Sequence, residues 1–156
     1  MELNESKLDD LSLLALFHDI GKIAIPNQIL SKQDKLTDDE FEIIKQHSEI
    51  GYQIAKNTME LSPIADYIRS HHEHWNGGGY PQGLSKEEIP VPARIISVVD
   101  AYDAMTHDRP YRKGMSKSKA LAEIKRCAGT QFDPEVVDLF LAVVNEKNVK
   151  KDIVNI

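Results

Sequence analysis

The sequence predicts an all-α domain with one hydrophobic core, and three observations support this fold class. Apolar residues recur at helical intervals of three and four along most of the chain. Residues that favour helix starts precede several of these stretches. The one long segment that excludes regular structure is rich in glycine, at positions 76–83. A length of 156 residues suits a single domain over 1–156, with its core at about 8–145.

Composition limits the classes of partner. Hydrophobic residues make up 41% and charged residues 28% of the chain, and the formal net charge is -6. This charge repels long nucleic acids and anionic membranes, whereas local cations or metal ions can still hold a small phosphorylated ligand. No apolar stretch approaches the about 20 residues that span a bilayer, and the single Cys127 is expected to be a small buried helix residue. We therefore expect a cytoplasmic protein without membrane insertion.

The first predicted helix leads directly to two polar residues. Its apolar positions run from Leu8 to Phe17 at helical spacing and continue into His18 and Asp19. Gly21 is expected to end or bend this helix. The proline within the next segment, 23–29, predicts a loop or short turn there.

The second and third predicted helices begin at capping signals. Thr37 and Glu40 form a capping box, in which each side chain satisfies the backbone N–H of the other residue. The inward stripe of this second helix is predicted to contain Phe41, Ile44, His47, Gly51 and Ile54. Ser62 and Pro63 suit the cap and the first position of the third helix. Its apolar face is predicted to contain Ile64, Ile68, His71 or His72, and Trp75.

The second half of the chain predicts a shaped loop followed by a helix. Residues 76–83 hold four glycines and a proline, which make a helix or a central strand costly. The stretch 93–105 that follows has apolar residues at helical intervals and carries Asp100. Its β-branched residues would also tolerate a strand.

Two further helices are predicted near the end of the chain. One is capped by Ser116 and runs through Cys127, with Gly129 stopping it. The other begins at Asp133 and Pro134 and runs to about position 145. The tail at 147–156 is expected to be a frayed end or the start of a neighbouring element.

The histidines carry the chemical signal. Five of the six histidines lie on or at the end of three predicted helices: His18, His47, His71, His72 and His74. A single histidine on an apolar face is usually a hydrogen-bonded core residue, and a run such as 71–74 can be a polar helix end. Several histidines that converge with Asp19 and Asp100 instead favour a metal centre, because buried carboxylates need a partner. Mixed nitrogen and oxygen ligands suit iron, manganese, zinc or nickel better than magnesium or calcium.

The motifs in their order along the chain resemble one known family. They are Phe17-His18-Asp19-Ile20-Gly21-Lys22-Ile23, then His47, then His71-His72-Glu73-His74-Trp75, then Gly77-Gly78-Gly79-Tyr80-Pro81-Gln82-Gly83-Leu84, and later 100–105, 109–112 and 131–134. This combination resembles the HD-GYP family of the HD metal-dependent phosphohydrolases over roughly 8–144. The resemblance implies an HD-domain-like helical bundle with a glycine-rich GYP loop. It also implies hydrolysis of cyclic di-GMP to the linear dinucleotide pGpG, to GMP, or to both.

The resemblance also implies a set of metal ligands. Two divalent ions are expected, with a third as an alternative; iron or manganese comes first, and zinc, nickel or magnesium are further candidates. Asp19 is expected to bridge two ions. By resemblance, His47, His71 and His72 serve one ion, and His18 and Asp100 serve the other.

Further residues match the family's positions near the substrate. Asp19 and Lys22 are expected to be catalytic. The substrate-binding positions are Lys22, Gly79, Tyr80, Arg109 and Arg112, with Tyr80 offering a face for a guanine. His74 does not match a ligand position, and His107 is expected to face solvent.

One departure from the family pattern affects the expected activity. The family has an upstream helix with a histidine that completes the metal site, whereas no histidine precedes His18 in this chain. We therefore expect a domain truncated at its N-terminal side, in which one ion lacks a protein ligand. The alternatives are an HD-type phosphohydrolase for another nucleotide, a catalytically impaired module that contacts other second-messenger signalling proteins, and a structural bundle with core histidines. A homodimer is also compatible with the sequence.

Overall fold

The computed structural model describes residues 5–108 and 113–154, with side chains described over 7–108 and 113–145. The helices described are α1 (Glu5–Phe17), α2 (Asn27–Leu30), α3 (Asp38–Lys56), α4 (Ala65–Ser70), α5 (Val91–Thr106), α6 (Lys117–Arg126) and α7 (Pro134–Val154). Short 3-10 helices occur at Ile20–Ala24, Ser62–Ile64 and Lys86–Glu88. Within this described part there are isolated β-bridges but no strands. The predicted all-α class is therefore confirmed.

The helices enclose two apolar clusters. The first lies among α1, α3 and α4 and includes the fully buried side chains of Leu14 and Ile68. The second lies among α5, α6 and α7 and includes Ile124 and Val137. Helix α5 contributes to both clusters. Among the described residues, no helix combines the length and apolar composition that crossing a bilayer requires.

A glycine brings one 3-10 helix against α3. A Cβ atom at Gly21 would overlap the carbonyl oxygen of His47 and would stand 2.6 Å from the amide nitrogen of Gly51. The two backbones therefore pack in direct contact, which only glycine permits at this position. This contact places Asp19, which immediately precedes the 3-10 helix, opposite His47.

The helix starts predicted at Thr37, Ser116 and Asp133 agree with the structure, whereas Ser62 and Pro63, predicted to start the third helix, lie within the 3-10 helix that precedes α4. The capping box of Thr37 and Glu40 is present at the start of α3. Helix α6 begins after Ser116, although the Ser116 side chain makes no capping hydrogen bond. At the start of α7, the Asp133 carboxylate accepts a hydrogen bond from the backbone N–H of Glu135 at 2.9 Å. Cys127 is buried, as expected.

Several predicted helix ends were wrong. Helix α1 ends at Phe17, so His18 and Asp19 lie beyond it. The segment 23–29, predicted as a loop or short turn, contains short 3-10 and α-helical turns. Helix α4 ends at Ser70, so Trp75 is not on its face; the Trp75 N–H instead donates to the carbonyl of Gln131 at 3.0 Å. The chain turns there because the glycine-rich loop must fold back on this segment.

Two other predictions about the helices need correction. Phe41 was predicted on the inward stripe of α3, but its side chain is 45% exposed. It lies in the first turn of α3, where its ring contacts the Tyr80 ring of the glycine-rich loop. Residues 147–154 of the tail, predicted as a frayed end or the start of a neighbouring element, are part of α7, whose backbone continues to Val154.

Candidate metal centre

Four segments bring the predicted ligands together. His18 follows the last residue of α1, and Asp19 precedes the 3-10 helix at Ile20–Ala24. His47 lies on α3, and His71 occupies the C-terminal cap of α4, with His72 next in the chain. Asp100 lies on α5.

Three histidines use one nitrogen in the same way. In His18, His47 and His71, the Nδ1 atom faces the backbone carbonyl oxygen three residues earlier. The partners are Ala15 at 3.2 Å, Ile44 at 2.6 Å and Ile68 at 2.6 Å, respectively. A carbonyl oxygen can only accept, so Nδ1 carries the proton in each ring and Nε2 keeps a free lone pair. Such a backbone contact is the usual way in which a metal-binding imidazole is oriented.

The free nitrogens converge on one carboxylate oxygen. Asp19 Oδ1 lies 3.4 Å from His47 Nε2 and 4.0 Å from His71 Nε2, and the two Nε2 atoms are 3.4 Å apart. Asp19 Oδ1 is buried and accepts no hydrogen bond within the described residues. With His72, these residues form a group whose ligand atoms all lie within 4.8 Å of one another. Lone pairs and a carboxylate facing each other repel unless a cation lies between them, so the residues present fit a metal ion.

The second oxygen of Asp19 faces a different set of residues. Asp19 Oδ2 lies 3.5 Å from His18 Nε2 and accepts a hydrogen bond from Lys22 Nζ at 2.6 Å. His18 Nε2 is also 3.8 Å from Asp100 Oδ1. Asp100 is outside the four-residue group but adjoins it through His18. The two oxygens of one carboxylate thus face two separate groups of candidate ligands.

Burial keeps His47, His71 and His72 neutral. It lowers the pKa of His71 to about 3, well below its usual value, and also strongly lowers the pKa of His72. The pKa of His47 is lowered for the same reason. Burial tends to raise the pKa of Asp19, but the hydrogen bond and charge of Lys22 outweigh it, so that the net pKa is lowered. Neutral imidazoles beside an ionised carboxylate are the protonation states that bind a metal ion.

The centre has a closed floor and an open side. The side chains of His47 and His71 are 1% and 0% exposed, whereas those of Asp19, Lys22 and Asp100 are between 35% and 40% exposed. Within the part of the chain that the structure describes, the side with Asp19, Lys22 and Asp100 is therefore open to an approaching ligand.

The glycine-rich loop closes over the floor. A Cβ atom at Gly79 would overlap the backbone of residues 72–74, so the loop packs directly on the histidine segment. The Tyr80 ring then stacks on the His72 ring, with centroids 4.9 Å apart. Burial, followed by the charges of Asp19 and Asp100, raises the pKa of Tyr80. Its hydroxyl group therefore stays protonated beside the centre.

Glu73 anchors this loop, a role that the sequence reasoning missed. Its buried carboxylate accepts hydrogen bonds from the backbone N–H groups of Gln82 at 2.7 Å and Gly83 at 3.1 Å. Burial raises the pKa of Glu73, against the lowering by these amides. The available signal was its position between the paired histidines and the glycine-rich loop.

Two predicted substrate residues are not described, and two histidines were predicted to lie outside the ligand set. Arg109 and Arg112 lie outside the described residues. His74 is not in the four-residue group. The His107 side chain is 69% exposed beside Asp103, at 3.0 Å, as expected for a solvent-facing residue.

The helical fold and the convergent imidazoles define a class, that of all-α proteins with a candidate divalent-metal centre. Residues 1–136 match the family profile described as "HD domain", and the chain belongs to this family. HD domains bind divalent metal ions, and the group around Asp19 is where this chain could hold one.

Two curated relatives support the HD-GYP resemblance, and one solved structure shares the fold alone. The chain is 42% identical over 148 residues to a cyclic di-GMP phosphodiesterase of Thermotoga maritima, covering 94% of this chain and 40% of the relative. It is 36% identical over 141 residues to a 3'3'-cGAMP-specific phosphodiesterase of Vibrio cholerae, covering 89% and 27%. An HDG"Y"P protein from Bdellovibrio bacteriovorus shares the fold, with a TM-score of 0.69, 20% identity and coverage of 92% and 45%. The chain thus spans less than half the length of each of these proteins.

Proposed function

We propose that this chain is the catalytic domain of a metal-dependent phosphodiesterase that hydrolyses cyclic di-GMP to pGpG, to GMP, or to both. One observation carries the proposal. The Nε2 atoms of His47 and His71 converge on the buried, otherwise unpartnered Oδ1 atom of Asp19. The Thermotoga maritima relative is named a cyclic di-GMP phosphodiesterase, and 94% of the present chain aligns with it. This name supports cyclic di-GMP as the substrate.

In this proposal Asp19 would be shared between two ions. Together with His47, His71 and His72 it would hold one ion at the buried position. Together with His18 and Asp100 it would hold a second ion at the open position. Neutral imidazole and carboxylate ligands favour iron or manganese, with zinc, nickel or magnesium as further candidates.

The polar residues at the open side would position the substrate. When bound, divalent ions supply positive charge that stabilises the phosphoryl oxygens and activates water for attack at phosphorus. Lys22, whose side chain is 40% exposed, can exchange the Asp19 carboxylate for a phosphate oxygen. Tyr80 keeps its hydroxyl proton and can donate it in a hydrogen bond to the same group. Gly79, Arg109 and Arg112 complete the proposed substrate site.

The buried residues His47 and His71 have a different role in the proposed function. Because His47 and His71 are fully buried and oriented by backbone carbonyls, they would hold a metal ion together with Asp19 without contacting the substrate. Burial also excludes bulk water from that face, which strengthens every charge interaction within the site. Hydrolysis thus takes place at the edge that includes Asp100.

The test measures metal content and hydrolysis in the same preparations. The purified chain is loaded with ferrous iron or manganese without oxygen, analysed for metal, and assayed with cyclic di-GMP. We expect bound metal and linear product, and Asp19→Ala should lose both, by more than about a hundredfold in rate, while the helices persist. Undiminished metal in Asp19→Ala would contradict the shared ligand. If the metal-loaded chain formed no linear product from cyclic di-GMP, the proposed enzymatic activity would be wrong.

A second candidate substrate is 3'3'-cGAMP, which the name of the Vibrio cholerae relative favours. Rates with a small panel of cyclic dinucleotides separate the two substrates. A third candidate is a binding module of a bacterial signalling pathway, acting through protein partners or as a homodimer. Tight cyclic di-GMP binding with no turnover in the metal-loaded chain would favour that function.

A further inference from the structure

An aromatic rim borders the candidate metal centre and has no place in the scheme above, apart from Tyr80. We use the term for Phe41 and Lys45 of α3 together with Tyr80 of the loop. The edge of one aromatic ring meets the face of the other, with the Phe41 and Tyr80 centroids 6.3 Å apart at 82°. The Phe41 side chain is 45% exposed. A large apolar ring is thus left in solvent beside a site for a charged ligand.

Lys45 is held over both rings. Its Nζ atom lies 5.0 Å from the Phe41 ring centroid and 5.6 Å from the Tyr80 ring centroid. The Lys45 side chain is only 28% exposed, and its Nζ atom donates to Glu42 Oε1 at 2.6 Å. An ammonium group has three protons to donate. After the bond to Glu42, two donors remain at a fixed place between two aromatic rings.

The Tyr80 ring connects the rest of the rim to the candidate ligands. Tyr80 stacks on His72, which belongs to the four-residue group, and Phe41 meets the Tyr80 ring. A nucleotide whose phosphate lies at the metal centre would therefore extend its base toward the rim. Aromatic faces bind bases of any sequence by stacking, whereas hydrogen-bond donors distinguish one base from another.

We propose that the aromatic rim binds one guanine of the substrate and selects it over adenine. This inference rests on the proposed cyclic dinucleotide hydrolysis. The base stacks on the Phe41 ring, and Lys45 donates to the O6 and N7 acceptors of guanine. Adenine presents an amino donor where guanine has O6, so that Lys45 would face a second donor. The rim therefore contributes both affinity and a preference between bases.

The simpler explanation for Lys45 is an amphipathic side chain that covers two aromatic rings of its own fold. The same helix provides a matched control for it. Lys56 also lies over a ring, that of Tyr52, with its Nζ atom 5.3 Å from the centroid. This pair lies near the far end of α3 and is not part of the candidate centre. Lys45→Met and Lys56→Met thus each remove a cation over a ring on α3.

The experiment measures binding and turnover by the metal-loaded chain with cyclic di-GMP, 3'3'-cGAMP and cyclic di-AMP. Metal content is measured for every variant. We expect Lys45→Met to weaken cyclic di-GMP binding and to raise KM by about tenfold or more. It should change cyclic di-AMP values little, so the guanine preference falls. Phe41→Ala should weaken the binding of all three ligands. Lys56→Met should leave the affinities and KM values unchanged.

The outcomes separate this inference from the proposed function. If the wild-type chain cleaves cyclic di-GMP and Lys45→Met matches Lys56→Met, the rim proposal is overturned and the hydrolysis stands. If the wild-type chain binds without cleaving, hydrolysis is overturned, and the affinities of the variants still decide the rim. No binding by the wild-type chain overturns both proposals. An equal loss for guanine and adenine ligands in Lys45→Met overturns the base preference.

Discussion

The two apolar clusters of this molecule are built on different physical principles. Around the cluster of α1, α3 and α4, buried polar groups are as prominent as apolar ones, and they include His47, His71 and Glu73. The cluster of α5, α6 and α7 is enclosed mainly by apolar side chains such as Ile124 and Val137. Apolar burial stabilises a fold without specifying chemistry. Buried polar groups reduce this stabilisation but can bind a ligand. The cluster of α5, α6 and α7 can therefore stabilise the fold, while the region around α1, α3 and α4 is adapted for ligand binding.

Helix α5 joins the two regions. Ile96 packs in the first cluster and Val98 in the second, while Asp100 faces His18. Near the start of the same helix, Arg94 makes a nearly buried ion pair with Asp133 at 3.0 Å. The position of Asp100 is thus determined by packing in both regions.

The largest stability loss is expected from Gly21→Ala, which acts on the polar region alone. The added Cβ atom overlaps the His47 carbonyl, and the backbone there cannot yield as a flexible side chain would. We expect a loss of about 4 kcal/mol or more in the free energy of unfolding, together with loss of metal. Thermal unfolding and metal analysis provide the measurements. Gly78→Ala is the control, because the three atoms nearest to a Cβ atom there belong to side chains, the closest being Asn76 Oδ1 at 3.2 Å. Equal losses in the two variants would refute the backbone contact at Gly21.

A cavity in the cluster of α5, α6 and α7 should produce the next largest loss of stability. It also tests whether this cluster stabilises the fold independently of the metal centre. Ile124 is fully buried within the second cluster. Ile124→Ala should lower the free energy of unfolding by about 2–5 kcal/mol through lost contacts and a residual cavity. Because no candidate ligand lies on α6, metal bound per folded chain should stay at the wild-type value. A parallel loss of metal at temperatures where the variant is folded would show that the two regions are not separable.

The smallest effect is expected at the start of α3. The Thr37 Oγ1 atom accepts a hydrogen bond from the Glu40 N–H at 3.3 Å, and Glu40 also holds Lys32. Thr37→Ala should cost about 1 kcal/mol, measured by urea unfolding. Ser116→Ala, at a helix start without a side-chain capping bond, should cost less. If Ser116→Ala lowered the free energy of unfolding more than Thr37→Ala, the side-chain capping bond would not be the cause of the Thr37 effect.

Local chemistry explains which parts of the fold could be predicted from sequence. Helix starts were predictable because caps such as Thr37 are local. The end of α4 was not, because His71, His72 and Trp75 continue a helical spacing that only the packing of the loop interrupts. Hydrophobic periodicity placed Phe41 in the core, since it cannot distinguish a core face from an aromatic rim.

The candidate site was predictable as a set but not as an arrangement. Asp19, His47, His71 and His72 were expected to meet, and the structure brings them within 4.8 Å. Their roles as ligands remain proposals. The 3-10 turn after Asp19 and its glycine contact with α3 depend on tertiary structure, and no sequence period encodes them. Glu73 was missed for the same reason, because its partners are amides nine and ten positions away.

The Glu73 anchor has a consequence for how this protein could change its specificity. The carboxylate holds the backbone of the loop to the residue that directly follows the paired histidines. An insertion or deletion in the loop would therefore displace the imidazoles as well. New preferences are accessible by exchanging side chains on a rigid frame, and evolution of this surface should proceed through point substitutions rather than through changes in loop length.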